Sequence, residues 1–153
     1  MKTAMNDPGI GIAEAEGSVA TVLTALREGH IDNAVNQFSE EFAFNDYGIG
    51  LEFRDKARLA EFFGKARELY PDSFLKTNRA FVSGDHVITE WMLRVTVTEP
   101  FYAGLTRRVP ISLPGVSVVR MHNGKISKWS DYYDGLTSRR TALASHFTDW
   151  IEL

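Results

Sequence analysis

Residues 113–136 read LPGVSVVRMHNGKISKWSDYYDGL. Alternating β-branched and aromatic residues flank His122-Asn123-Gly124-Lys125, and Asn-Gly supplies the positive φ angles of a tight two-residue turn, so the stretch reads as a β-hairpin. Side chains alternate along a strand, which places Trp129, Asp131 and Tyr133 on one face of the second strand and Lys128, Ser130 and Tyr132 on the other. If the Trp129 face is inward, Asp131 is a carboxylate in an apolar setting. Desolvation then raises its pKa toward neutrality, where it can exchange protons. The competing reading is an Asp131 that faces solvent or only bonds a tyrosine hydroxyl or a backbone amide.

Working outward, antiparallel strands are expected near 73–83, 86–98, 106–121 and 125–134, with turns at Ser83-Gly84-Asp85 and Asn123-Gly124. The chain before them has a helical period. Ser18 is placed to cap a helix whose stripe is Val19, Val22, Leu23 and Leu26 and which ends at Gly29. Asp32 and Asn33 open a second, short helix with Ala34, Val35 and Phe38 inward, and Phe42-Ala43-Phe44 reads as a first strand. A third helix runs from Arg54 to Tyr70, stopped by Pro71. Residues from about Thr137 to Glu152 read as a final helix. These elements imply an α+β domain in which a cone-shaped, curved antiparallel sheet wraps around N-terminal helices and leaves a pocket at its open end.

The 153 residues suit one domain, and a hydrophobic share of 44% is enough for a core. Residues 1–17 read as a flexible arm and 18–153 as a single domain. The arm lacks the continuous apolar run of a signal peptide or a membrane span, so no membrane association is expected. A net charge of −3 offers no basic stripe, which argues against nucleic acid as a partner. With no cysteine, disulfides, thiolate catalysis and cysteine metal sites are excluded, and the composition is compatible with a cytoplasmic location.

The element order, together with the closing GKISKWSDYYDGL segment, resembles the nuclear-transport-factor-2-like superfamily, and within it the SnoaL-like polyketide cyclases and the limonene epoxide hydrolases. The resemblance runs from about Val19 to Leu136. In the hydrolases an Asp of the closing Trp-x-Asp-Tyr-x-Asp segment takes a proton from the attacking water; Asp131 holds that place in Trp129-Ser130-Asp131-Tyr132-Tyr133-Asp134. Those enzymes also need an Arg and a second Asp on a neighbouring strand. Here that strand reads Thr89-Glu90-Trp91-Met92-Leu93, and Trp91 and Leu93 stand in those places. Phe44-Asn45-Asp46-Tyr47-Gly48 resembles the segment in which ketosteroid isomerases carry a general-base Asp, which makes Asp46 the second carboxylate of interest. Asn-Asp-Tyr-Gly is equally ordinary turn chemistry. The isomerase's other acids have no counterpart: Val22 falls near one position and Val116 or Ser117 near the other, so a phenolic donor would come from Tyr47 or Tyr133.

The expected site is therefore Asp131 and Asp46 as acid and base, with Trp91, Leu93, Trp129, Tyr133, Tyr47 and Phe44 contacting a lipophilic small molecule. His30, His86, His122 and His146 are scattered without ligand spacing, and Gly48-Ile49-Gly50 lacks the residues of a phosphate cradle, so neither a metal nor a nucleotide cofactor is expected. Two classes stay open. One is a cofactor-independent enzyme for isomerisation, cyclisation or epoxide opening, with proton removal and delivery on opposite sides of the substrate. The other is a non-catalytic module that uses the same cone to bind a ligand or its sheet to dimerise. Val95, Val97, Val109, Ile111 and Val118 suggest an outer apolar face, and a homodimer through the sheet is expected.

Overall fold

The computed structural model describes residues 12–100 and 102–136. Helix α1 (Ile12–Glu28) buries Val19, Val22 and Ala25 and ends at Gly29, whose φ is +83°, a conformation that suits a residue without a Cβ. It starts six residues before the expected cap, because the Ala-Glu-Ala-Glu run at 13–16 consists of strong helix formers. Ser18 lies within the helix, and residues 12–17 belong to it rather than to an arm. Helix α2 (Ile31–Val35) is a short brace. Helix α3 (Lys56–Leu69) is capped by Asp55, whose carboxylate accepts the Arg58 N–H at 2.9 Å, and it buries Leu59 and Phe63.

Six strands follow the order β2-β1-β6-β5-β4-β3 in one sheet. They are β1 (Phe38–Asp46), β2 (Leu51–Phe53), β3 (Phe74–Ser83), β4 (His86–Pro100), β5 (Thr106–His122) and β6 (Lys125–Tyr133). The four long strands form an antiparallel meander, while β1 lies parallel to β6. Phe38 opens β1 instead of closing α2, and its ring is 0% exposed. The strand β2 was not anticipated, since three residues are too few to show a period. The helix expected over 137–152 lies outside the described residues.

The helices cover one face of the sheet. Between them Phe38, Phe42, Phe44, Phe53, Phe62, Phe63 and Trp129 form a continuous aromatic cluster, with Leu59, Val87, Val119 and Ile126 around it. Such rings dominate the burial term, each removing roughly 150–250 Å² from water. Val95 and Ile111 are buried with Leu113 in a second, smaller cluster on the same inner face, and Val97 and Val109 pack against it. This corrects the expectation that these four residues form an outer face. They share the parity of Trp91, so they turn toward the helices.

A β-bulge decides which way Asp131 points. From the turn, His122 pairs with Lys125 and Met121 with Ile126, but Arg120 pairs with Lys128. Ser127 is the extra residue, and its hydroxyl bonds the Arg120 carbonyl at 3.2 Å. One inserted residue inverts the alternation beyond it. Ile126 before the bulge and Trp129 after it are therefore both buried, and Asp131 faces inward with Trp129.

Candidate active site

Register assembles the site. Thr89 on β4 pairs with Ser117 on β5, Ser117 with Asp131 on β6, and Asp131 with Asp46 on β1. Side chains paired across a sheet share a face, so these four make one polar row on an otherwise apolar inner surface. Thr89, Ser117 and Asp46 are buried and Asp131 is partly buried. Strands sit about 4.8 Å apart, so the two carboxylates stand side by side on one wall. They are too close to flank a substrate from opposite sides, contrary to the expected arrangement.

Asp131 is held through one oxygen. The Trp129 indole N–H donates to Oδ1 at 2.6 Å and the Ser117 hydroxyl donates to the same atom at 2.5 Å. The direction of the second bond is set further back, because the Trp91 indole N–H donates to Ser117 Oγ at 2.8 Å. An indole N–H can only donate, which leaves the serine hydrogen for the carboxylate. Oδ2 has no hydrogen-bond partner among the described residues, so a proton taken up by Asp131 resides there. Burial pushes the Asp131 carboxyl up from 3.8 to about 6, against the pull of the Ser117 and Trp129 bonds, and the Asp46 charge adds to the rise.

Asp46 is tied at both oxygens. The Ile49 N–H donates to Oδ1 at 3.2 Å and the Tyr133 phenol donates to Oδ2 at 3.1 Å. Burial raises its pKa, and these hydrogen bonds oppose the rise. Burial, and then the facing Asp46 charge, push the Tyr133 phenol further above its usual range, so it stays a donor. Two glycines admit the rings on either side. A Cβ on Gly115 would lie 2.2 Å from the Trp91 ring, and one on Gly48 would lie 2.2 Å from Tyr133 Cζ. The two rings meet with centroids 5.8 Å apart.

A cavity of about 320 Å³ opens between this wall and α3. Asp46 and Tyr133 form its polar end; Leu93, Val95, Val97, Ile111 and Leu113 line the sheet side, and Phe62, Ala66 and Tyr70 the helix side. Of the expected contact residues, Tyr133 and Leu93 line the cavity. Trp91 and Asp131 are not among the residues that line it; Trp91 is in ring contact with Tyr133, and Asp131 is paired with Asp46 across the strands. Phe44 and Trp129 belong to the aromatic core, and Tyr47 is 54% exposed and stacks on Tyr132 outside it. Phe44 lies inward on β1 but two residues below Asp46, under α3, which explains its place in the core. Tyr47 is the first residue beyond β1 and has the opposite parity to Asp46.

Sequence reasoning missed Ser117 as a donor, Thr89, and the α3 wall. The apolar pair Ile126 and Trp129, three apart on one strand, was the available sign of the bulge that brings Ser117 opposite Asp131. The Thr89 Oγ1 is buried and has no hydrogen-bond partner among the described residues. Among the described residues no cluster of three His, Cys, Asp or Glu could hold a metal ion, and no helix is long and apolar enough to cross a membrane.

Comparison with known proteins agrees with this architecture. A Jannaschia sp. CCS1 protein described as a SnoaL-like polyketide cyclase superposes with a TM-score of 0.73 at 15% identity, over 86% of this chain and 93% of its own. An LEH-like epoxide hydrolase of M. tuberculosis gives 0.67 at 18% identity, over 89% and 96%. A Catenulispora acidiphila protein with a ketosteroid isomerase-like fold, in complex with trimethylamine, gives 0.65 at 16% identity, over 76% and 84%. At these identities the likeness establishes the fold. The comparison with curated proteins found no match. The model of the SnoaL-like domain matches residues 19–129, the greater part of the chain, and the chain belongs to the SnoaL-like domain family.

Proposed function

We propose that this protein is a cofactor-independent acid/base enzyme that moves a proton on a lipophilic small molecule. The observation that carries this reading is the pairing of Asp46 with Asp131 in register beneath one apolar cavity. Two like charges at that spacing disfavour joint ionisation, so the pair holds one proton more readily than none. Asp46, at the cavity wall, takes a proton from a carbon beside a carbonyl. The electron pair moves to the carbonyl oxygen, and the Tyr133 hydrogen, no longer needed by a neutralised Asp46, turns to that oxygen. Asp46 then returns the same proton to another carbon of the conjugated system, so atoms and charge balance with no external oxidant or base. Asp131 tunes Asp46 by its charge and by its own proton on Oδ2.

A one-sided carboxylate pair favours proton shifts and enolate-based ring closure over epoxide opening, which needs an acid placed away from the base. The test is hydrogen–deuterium exchange at enolisable positions of a panel of lipophilic ketones, followed by NMR. Wild type should exchange faster than buffer, and Asp46→Asn should lose about 10²–10⁴-fold. Exchange at the buffer rate with wild type, or an unchanged rate in the variant, overturns the proposal. A homodimer through the outer sheet face is part of the same reading. It is supported by Phe81, 49% exposed, beside Ile88 and Val118 in register on that face.

A further inference from the structure

A second chamber of about 240 Å³ adjoins the first and shares three wall residues with it, Ala66, Ser73 and Leu93. The sharing has a geometric cause. Leu75, Leu93 and Leu113 pair across β3, β4 and β5 as one row; Leu113 lines the first chamber, Leu75 the second, and Leu93 both. On α3, Phe62 faces the first chamber and Phe63 and Arg67 the second, while Ala66 lies at the seam. Ala66 and Leu93 line both chambers, and Ala66 is one of the smallest side chains available.

The chambers differ in charge. Among the described residues, Asp46 is the one charged group lining the first, and Arg27 and Arg67 are the charged groups lining the second. Arg67 Nη1 donates to the Leu26 and Arg27 carbonyls at 3.1 and 2.8 Å, closing the end of α1. Its Nε and Nη2 have no partner among the described residues, and that edge is the fork a carboxylate accepts in bidentate fashion. Among the described residues the Arg27 guanidinium has an exposed contact of 3.9 Å to Glu28, a weak competitor.

We propose that the second chamber binds the carboxylate head of an amphipathic acid at Arg27 and Arg67, with its apolar body passing between Ala66 and Leu93 toward Asp46 and Tyr133. This names the substrate class of the site above and rests on that reading only for which end reacts. The charge polarity fixes orientation, since a carboxylate at the Asp46 end would face like charge.

The test compares decanoate with decan-1-ol by calorimetry at pH 8 and low salt. Decanoate should bind wild type about tenfold tighter or more, with the preference falling as salt rises. Arg27→Gln and Arg67→Gln should each cut the preference severalfold. Ala66→Leu, a substitution that suits a helix, should weaken decanoate by filling the seam. Arg67 also bonds two carbonyls at the end of α1, so Arg27→Gln, in the last turn of the same helix, serves as the variant that removes a guanidinium and leaves those two bonds in place. Equal affinity for the two probes, no binding of either, or a preference that survives both arginine substitutions overturns the proposal. Asp46→Asn should keep the preference while losing isotope exchange, so failure of head-group recognition and failure of the proton-transfer reading are separately visible.

Discussion

Replacing Asp131 by Asn should make the protein more stable above neutral pH while damaging its chemistry. The amide keeps an oxygen where Oδ1 accepts from Trp129 and Ser117, and it puts an uncharged nitrogen where Oδ2 has no partner among the described residues. The carboxyl lies near 6 in the folded protein and at 3.8 ordinarily. An acid with a raised folded pKa binds more protons folded than unfolded between those values, so wild-type stability falls as pH climbs from about 4 to 6 and stays lowered above. About two pH units at about 1.4 kcal/mol each give up to about 3 kcal/mol, or roughly 6–12 °C in Tm for a chain of this size. The repulsion from Asp46 is part of that rise and so part of this gain. Thermal unfolding of both proteins at pH 4, 6 and 8 reads this directly. The gain should be small at pH 4, nearly complete at 6 and full at 8. A variant no more stable than wild type at pH 8, or one with an equal gain at pH 4, refutes the claim that this carboxylate is held charged against its burial.

Ser117→Ala removes a donor from Asp131 Oδ1 and leaves the Trp91 indole N–H unpaired; it should cost about 1–3 kcal/mol in denaturant unfolding. Because the lost bond favoured the carboxylate, Asp131 should take up its proton at higher pH, read from the pH dependence of its side-chain carboxyl NMR shift. Gly48→Ala places a Cβ 2.2 Å from Tyr133 Cζ, so the ring must leave Asp46; isotope exchange should drop and stability fall by about 1–3 kcal/mol. Phe81→Lys should turn a dimer into a monomer in sedimentation analysis with little change in Tm, and a monomeric wild type at micromolar concentration would remove the sheet-face dimer from the reading.

Much of the fold was legible because its signals are local. Asn123 and Gly124 have φ of +49° and +73°, the two positive angles the turn needs, and the four long strands lie within a few residues of where alternation places them. Parity also put Asp131 with Trp129 and Tyr133. What was not legible depends on partners distant in sequence. Alternation along β4 separates Thr89, Trp91, Leu93 and Val95 from their neighbours, but it does not say which set meets a helix; that is fixed only by the helices covering one face. Trp91 stood in the sequence as a residue displacing an expected arginine. Only the β4–β5 register shows its N–H orienting Ser117. Phe38 was misplaced because a buried aromatic at a helix–strand junction fits either period.

The parallel seam between β1 and β6 has a consequence for how the protein reaches its native state. Tyr133 and Asp46, bonded across that seam, are 87 residues apart in sequence, whereas the β3–β6 meander and the α1–α2 pair close over short loops. Distant contacts carry the larger loop-closure entropy and tend to form late. Until the seam zips, Asp46 and Asp131 remain apart and each keeps its water. The electrostatic tension of the site therefore enters at the last stage of folding, opposing docking of β1 rather than growth of the meander. Removing either charge should accordingly speed that final docking, and raising the pH should weaken this seam.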